Sequence, residues 1–108
     1  IVAQRETSGQ RTTRVTTHRG DTLVASGAAP APDFIKVDVE GHELAVISGM
    51  AEQLARPECR GVLCEVHFNL LAQTGQEHAP DEIKSRLHAS GFRNFDWVSR
   101  SHLLARKN

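Results

Sequence analysis

Apolar and polar residues alternate in two short segments of the chain, over residues 35–40 of DFIKVDVEGHE (33–43) and over residues 64–67 of GVLCEVH (61–67). Successive residues of a β-strand face opposite sides, so each segment predicts a strand with one packed face and one polar face. In the first segment the apolar set is Ile35, Val37 and Val39, and the polar set is Lys36, Asp38 and Glu40. In the second segment, one face carries Val62, Cys64 and Val66. The other face carries Leu63, Glu65 and His67.

A helical repeat separates these two strands. Its apolar face carries Leu44, Ile47, Ala51 and Leu54. Gly41 marks a tight turn before the helix, and Pro57 ends it because proline cannot continue a helix. The order of strand, turn, helix and strand predicts a right-handed crossover between parallel neighbours.

The flanking segments complete the predicted fold. β-Branched residues predict a short strand at residues 14–17, after a poorly structured lead-in at residues 1–14. A polar loop is expected to run to residue 79, long enough for a lid or a recognition loop, and a helix from Pro80 to Gly91 follows it. Residues 92–98 and 102–107 predict two strands that form an antiparallel hairpin, because only three residues join them.

The expected fold class is therefore α/β, with a mostly parallel sheet and one antiparallel strand at the C-terminal hairpin. We expect a single partial domain over residues 1–108, with its structured part at residues 15–107.

Composition and charge exclude several classes of partner. The 108 residues include 13 basic and 13 acidic side chains, so no net field attracts nucleic acid or an anionic membrane. No apolar run approaches the roughly 20 residues that span a bilayer, and no signal peptide is evident. Two cysteines in the chain favour a reducing, cytoplasmic location. Cys59 and Cys64 fit neither a redox nor a zinc motif, so they are interpreted as core thiols rather than as a disulfide.

Four polar side chains are expected to meet where the two parallel strands end: Asp38, Glu40, Glu65 and His67. Ligands of open α/β sheets bind in the crevice at this edge. The alternative is a solvated sheet face on which Lys36 pairs with Glu65. These oxygen and imidazole groups also suit a divalent cation, but they match no metal motif and Lys36 would repel the ion, so no metal is expected.

The chain resembles the C-terminal half of FkbM-family methyltransferases over residues 15–107. The resemblance rests on DFIKVDVEGHELAVISGM, on GVLCEVH about twenty residues later, on the helix ending in SGF, and on the final hairpin FRNFDWVSRSHLLARK. It implies a Rossmann-like enzyme that uses S-adenosylmethionine to methylate a hydroxyl oxygen of a small molecule or glycan. Members of this class end with a strand inserted antiparallel between two others.

The resemblance also assigns roles to the strand-end residues. Asp38, His67 and Glu65 are the expected catalytic residues, with His67 the best general base by intrinsic pKa. Asp38, Val39 and Glu40 are expected to contact the cofactor, and Glu40, Gly41 and His67 the acceptor. Structural roles remain open for His67 and for Glu43, whose charge complements the positive end of its helix.

One part of the family pattern is absent from the sequence. No G-x-G or D-x-G stretch follows a strand before Asp33, so the glycine-rich half of the cofactor pocket is missing. We therefore expect a fragment that is inactive alone, with an exposed sheet edge open to a homodimer or a domain swap. The alternative function is a non-catalytic α/β module for assembly or binding.

Overall fold

A computed structural model describes the backbone of residues 2–6 and 12–108 and the side chains from residue 17 onward. Its strands are β1 Val2–Glu6, β2 Thr12–Thr16, β3 Phe34–Val37, β4 Gly61–Glu65, β5 Asn94–Trp97 and β6 His102–Arg106. Its helices are α1 Gly20–Ala25, α2 Glu43–Gly49, α3 Ala51–Ala55, α4 Phe68–Gln73 and α5 Ala79–Ala89. None of these helices has the length and apolar character to cross a bilayer.

The main sheet has four strands in the order β3-β4-β6-β5. β3 and β4 are parallel, with Val37 opposite Cys64, as the crossover pattern predicts. β6 lies between β4 and β5 and is antiparallel to both. The prediction of a mostly parallel sheet is therefore wrong: the sheet is mixed, because the inserted β6 makes two of the three pairings antiparallel. The inserted strand itself is as expected.

The core lies between the apolar face of this sheet and helices α2 to α5. Its sheet side includes Val37, Val62, Cys64 and Ala105, and its helix side includes Ile47, Leu54, Leu71, Ile83 and Leu87, all at most 2% exposed. Leu63 and Glu65, on the other face of β4, are only partly buried. The apolar positions of the alternating pattern thus face the core, and the positions between them face the open side of the sheet. Cys59 and Cys64 are buried free thiols, as predicted.

Two helical predictions differ from the structure. The single helix expected after Gly41 is broken at Met50 into α2 and α3. Gly49 has a low helix propensity, and the Asp21 carboxylate accepts hydrogen bonds from the first free N–H groups of α3, those of Glu52 and Gln53, at 2.9 and 3.1 Å. Asp21 therefore caps α3 rather than its own helix.

The second difference lies in the predicted polar loop, which contains α4. Only Leu71 of this helix is buried, so the segment has no apolar stripe that a periodicity argument could detect.

The N-terminal segment also differs. β1 pairs with β2 in a separate antiparallel sheet. β1 lies in the stretch for which the sequence predicts a poorly structured lead-in, whereas β2 overlaps the short strand predicted at residues 14–17. The sequence did not indicate β1, because this segment lacks an alternating apolar pattern. β1 is defined by its pairing with β2.

Candidate functional site

Three of the predicted site residues meet at the carboxyl ends of β3 and β4. His67 Nε2 lies 3.7 Å from Asp38 Oδ1 and 3.6 Å from Glu65 Oε1. Asp38 directly follows β3, Glu65 ends β4, and the parallel register of the two strands brings them side by side. The structure thus brings together Asp38, Glu65 and His67, three of the four side chains expected to meet at this edge.

A buried carboxylate completes the surroundings of His67. Glu43, in the first turn of α2, is fully buried, and its Oε1 lies 2.7 Å from His67 Nδ1. The same oxygen accepts the backbone N–H of Gly41 at 2.9 Å. Glu43 Oε2 is buried and has no hydrogen-bond partner among the described residues. The Glu43 carboxylate thus binds Nδ1 of the imidazole, and Nε2 faces Asp38 and Glu65.

Sequence reasoning had treated Glu43 chiefly as a charge at a helix end. A signal was present, because Glu43 stands four positions before Ile47 and eleven before Leu54, on the apolar face of the predicted helix. A carboxylate on a buried stripe needs a partner there, and His67 is that partner.

The site raises the basicity of His67. The hydrogen bond that His67 donates to Glu43 is the largest cause, and the negative charges of Glu43, Glu65 and Asp38 add to it. Partial burial opposes the protonated form, but the pKa of His67 still lies above its ordinary value. In the neutral ring, the Nδ1–H that donates to Glu43 leaves the lone pair on Nε2, directed at the strand-end cluster.

The turn between β3 and α2 contains the remaining predicted residues. Glu40 (φ 47°) and Gly41 (φ 96°) both have left-handed backbone, and His42 N–H donates to Val39 O at 3.3 Å. Gly41 suits this conformation because it has no Cβ, whereas Glu40 is strained in it. Val39 is half-buried and packs against the core, and Glu40 is exposed.

The same cluster offers ligand atoms for a small divalent cation. One atom each from Asp38, Glu65 and His67 lies within 4.8 Å of the others. Lys36, expected to repel an ion there, instead lines a separate crevice beside α1, which is mostly apolar and includes Leu23, Pro32 and Met50. A cation bound between these three side chains would therefore take the place of a proton on His67.

A crevice of about 310 Å³ opens beside the cluster. Its lining consists of residues 65–70 together with Arg100 and Ser101. The Phe68 ring packs at 5.6 Å from the Trp97 ring, and both side chains are more than 40% exposed. Val66 N–H donates to Ser101 O at 2.7 Å and fixes the β5–β6 turn against β4. Neither Arg100 nor Ser101 was a predicted site residue, because turn residues show no pattern that points to a site.

Comparisons with known proteins place these features in a family context. The sequence model described as "Methyltransferase FkbM domain" matches residues 3–94. The chain is 47% identical over 53 residues to the hexuronic acid methyltransferase AglP of Haloferax volcanii, a segment that covers 49% of this chain and 21% of that relative. The matched part thus spans about a fifth of the relative's length. No solved structure matches the chain significantly.

Proposed function

Because the chain belongs to the FkbM methyltransferase family, we propose that it forms part of an enzyme that methylates a hydroxyl oxygen of a small molecule or glycan, with S-adenosylmethionine as the methyl donor. The observation that carries the proposal is the arrangement of His67, with Glu43 on Nδ1 and with Asp38 and Glu65 near Nε2. An alcohol is a weak nucleophile, and this arrangement supplies a base at the sheet edge where ligands bind.

His67 acts as the general base in this mechanism. Nε2 would accept the proton of the acceptor hydroxyl as that oxygen becomes methylated. Glu43 holds the ring orientation and stabilises the imidazolium that forms, because its carboxylate is buried where water screens it weakly. Asp38 and Glu65 stabilise the same positive charge and orient the acceptor hydroxyl.

The strand-end residues fit the cofactor by charge. S-adenosylmethionine supplies an electrophilic methyl group on a positively charged sulfur when it is bound. Asp38 and Glu40 would complement its positive groups with their carboxylates, and the backbone at Val39 lies between them. Gly41 leaves the turn without a Cβ that would crowd an approaching ligand.

The chain is proposed to be inactive alone. Within the described residues β3 has one neighbour, β4, so its other edge is free to pair with a further strand. We propose that the remaining cofactor contacts come from outside these residues, across that edge, and that a homodimer or domain swap is another way to cover it. The acceptor is proposed to reach the site from a cytoplasmic pool.

A methyl-transfer assay with the full-length protein tests the proposal. Labelled S-adenosylmethionine is supplied with candidate sugars and alcohols, and transfer to oxygen is the expected result. Asp38→Asn should reduce turnover by about 100-fold or more. Asp96→Asn is the matched control, because Asp96 is exposed at the hairpin and pairs with Arg106 away from the cluster.

The assay also decides between the enzyme and the alternative of a binding module. Unchanged turnover in Asp38→Asn would remove Asp38 from the site. A full-length protein that binds the acceptor but transfers no methyl group under any condition would favour the non-catalytic module.

A further inference from the structure

We infer that His102 is a positioning residue of the site: held by Ser99, it directs an N–H at Glu65 and keeps that carboxylate beside His67. This inference rests on the proposed function, because it adds a residue to that same site. Its observations are separate, since they come from β6 and from the turn between β5 and β6.

Glu65 lies between two histidines. Its Oε1 is 3.6 Å from His67 Nε2, and its Oε2 is 3.6 Å from His102 Nε2. β4 and β6 are antiparallel neighbours whose register places Glu65 directly opposite His102. Both distances exceed that of a hydrogen bond, so these contacts act by charge and N–H polarity, and we expect them to tighten when a ligand binds.

The Ser99 hydroxyl determines which nitrogen of His102 carries the hydrogen. Ser99 Oγ accepts the backbone N–H groups of Ser101 and His102 at 3.3 and 3.1 Å, and these occupy its two lone pairs. Its own O–H is left to donate to His102 Nδ1, which lies 2.7 Å away. In the neutral ring the hydrogen is therefore on Nε2, the nitrogen that faces Glu65. The neutral and the protonated ring thus both present an N–H to the carboxylate.

Neutral His67 cannot hold Glu65 in place by itself. Its Nδ1–H donates to Glu43, so Nε2 presents a lone pair, which repels a carboxylate oxygen. Asp38 adds a second negative charge 3.7 Å from the same nitrogen. Within the part of the chain that the structure describes, no lysine or arginine lies within ion-pair distance of Glu65, and His102 is the other basic group that does.

The consequence for catalysis is preorganisation. The Glu65 side chain is 27% exposed and could turn toward water, but His102 attracts it to the cluster before the reaction begins. When His67 Nε2 takes the acceptor proton, the negative charge that stabilises the imidazolium is then already in place. Electrostatic stabilisation is most effective when no group has to reorient at that moment.

The backbone keeps this arrangement in register. Val98 N–H donates to His102 O at 2.9 Å, which closes the β5–β6 turn, and Val66 N–H donates to Ser101 O at 2.7 Å, which joins the turn to β4. His102 is therefore fixed relative to β4 from both sides.

NMR of the chain tests the positioning without cofactor or acceptor. Three-bond couplings from the backbone nitrogen and carbonyl carbon to Cγ show whether Glu65 keeps one χ1 rotamer or averages over several. We expect one rotamer in the unaltered chain and averaging in His102→Leu, which offers no N–H. His102→Gln is equally uncharged, but its amide supplies an N–H, so it should restore the single rotamer. A chelator is present, so that no cation orders the carboxylate.

Two more variants complete the comparison. Ser99→Ala should also cause averaging, because it frees the His102 ring to rotate and to change tautomer, and it serves if His102→Leu does not fold. His88→Leu is the matched control, because His88 is exposed on α5 outside the cluster, and it should leave Glu65 in one rotamer.

Turnover of the full-length protein shows whether the positioning matters for catalysis. His102→Leu should lower kcat about tenfold with little change in KM, and His102→Gln should recover most of the loss. In a Glu65→Ala background both substitutions should have the same kcat, because His102 acts through Glu65.

The outcomes separate this inference from the proposed function. An averaged Glu65 in the unaltered chain, a single rotamer in His102→Leu, or equal averaging in His102→Leu and His102→Gln would overturn the inference and leave an ordinary cross-strand contact. If the rotamers change as expected but the full-length protein transfers no methyl group, the proposed function fails and the positioning of Glu65 stands. If methyl transfer occurs while Glu65 stays ordered without His102, the reverse holds.

Discussion

Glu43→Gln is expected to alter how the stability of the protein depends on pH. Glu43 is fully buried, and its Oε1 lies 2.7 Å from His67 Nδ1. Glutamine has nearly the same shape and can still accept the Gly41 N–H, but it removes the negative charge. The substitution therefore isolates the electrostatic part of the contact.

The direction of the pH dependence of stability follows from the direction in which the pKa of His67 is shifted. The site raises the pKa of His67 above its ordinary value of 6.5. A raised pKa in the folded state adds stability that is fully present below the unfolded pKa and is lost as the pH rises through the folded one. The unaltered protein should thus lose this contribution on going from about pH 6 to about pH 9.

The magnitude comes from the type of hydrogen bond. A bond between charged groups contributes roughly 1 kcal/mol more than a neutral one, so the loss of stability between these pH values should be about 1 kcal/mol smaller in Glu43→Gln. The free energy of unfolding is measured by urea titration at both pH values, with Trp97 fluorescence as the signal. Taking the difference between pH values cancels the pH-independent cost of burying Glu43.

Glu82→Gln is the matched control. Glu82 is exposed on α5 and pairs with Arg86, which does not titrate in this range. The free energy of unfolding of the Glu82→Gln variant should depend on pH in the same way as that of the unaltered protein. If Glu43→Gln shows the same decline as Glu82→Gln, the reasoning about the Glu43–His67 pair is refuted. In the active enzyme, Glu43→Gln should also move the acid limb of the pH–rate profile to lower pH.

Four further predictions concern the turn, the thiols, metals and the cofactor. Gly41→Ala should destabilise the protein by about 1 to 2 kcal/mol in urea titrations, because Gly41 has a φ of 96°, whereas Gly49→Ala in α2 should not. Burial raises the pKa of the Cys64 thiol to about 12, so neither it nor the buried Cys59 should react quickly with Ellman's reagent before unfolding. A chelator should leave methyl transfer intact, and a loss that Mg²⁺ or Mn²⁺ restores would instead assign Asp38, Glu65 and His67 to a metal. Calorimetry of this chain with S-adenosylmethionine should show little binding, and micromolar affinity would contradict the proposal that much of the pocket lies elsewhere.

The position of the candidate site was predictable because strand alternation is a local rule. Asp38, Glu65 and His67 could be assigned to one edge once two strands were known to be parallel neighbours. The Glu43 contact was not predicted, since it depends on how α2 rotates against the sheet. Phe68 and Arg100 were missed for a related reason: they come from a helix with one buried residue and from a turn, and only the tertiary fold brings them together.

Some features of the fold could likewise be predicted from the sequence, and others could not. The parallel pair and the inserted final strand followed from the apolar pattern and from the family resemblance. The helix break at Met50 was not predicted, because it requires the Asp21 carboxylate from thirty residues earlier. A cap that is supplied by a side chain distant in the sequence cannot be inferred from the residues around the helix break.

The inserted strand β6 has a consequence for the order in which the molecule folds. β6 follows β5 in the chain, yet it lies between β4 and β5 and takes part in two of the three pairings of the sheet. During synthesis β5 has no partner in this sheet until β6 has left the ribosome, so the emerging chain exposes unpaired strand edges until then. A chain interrupted between β5 and β6 would therefore lack a central strand of the sheet.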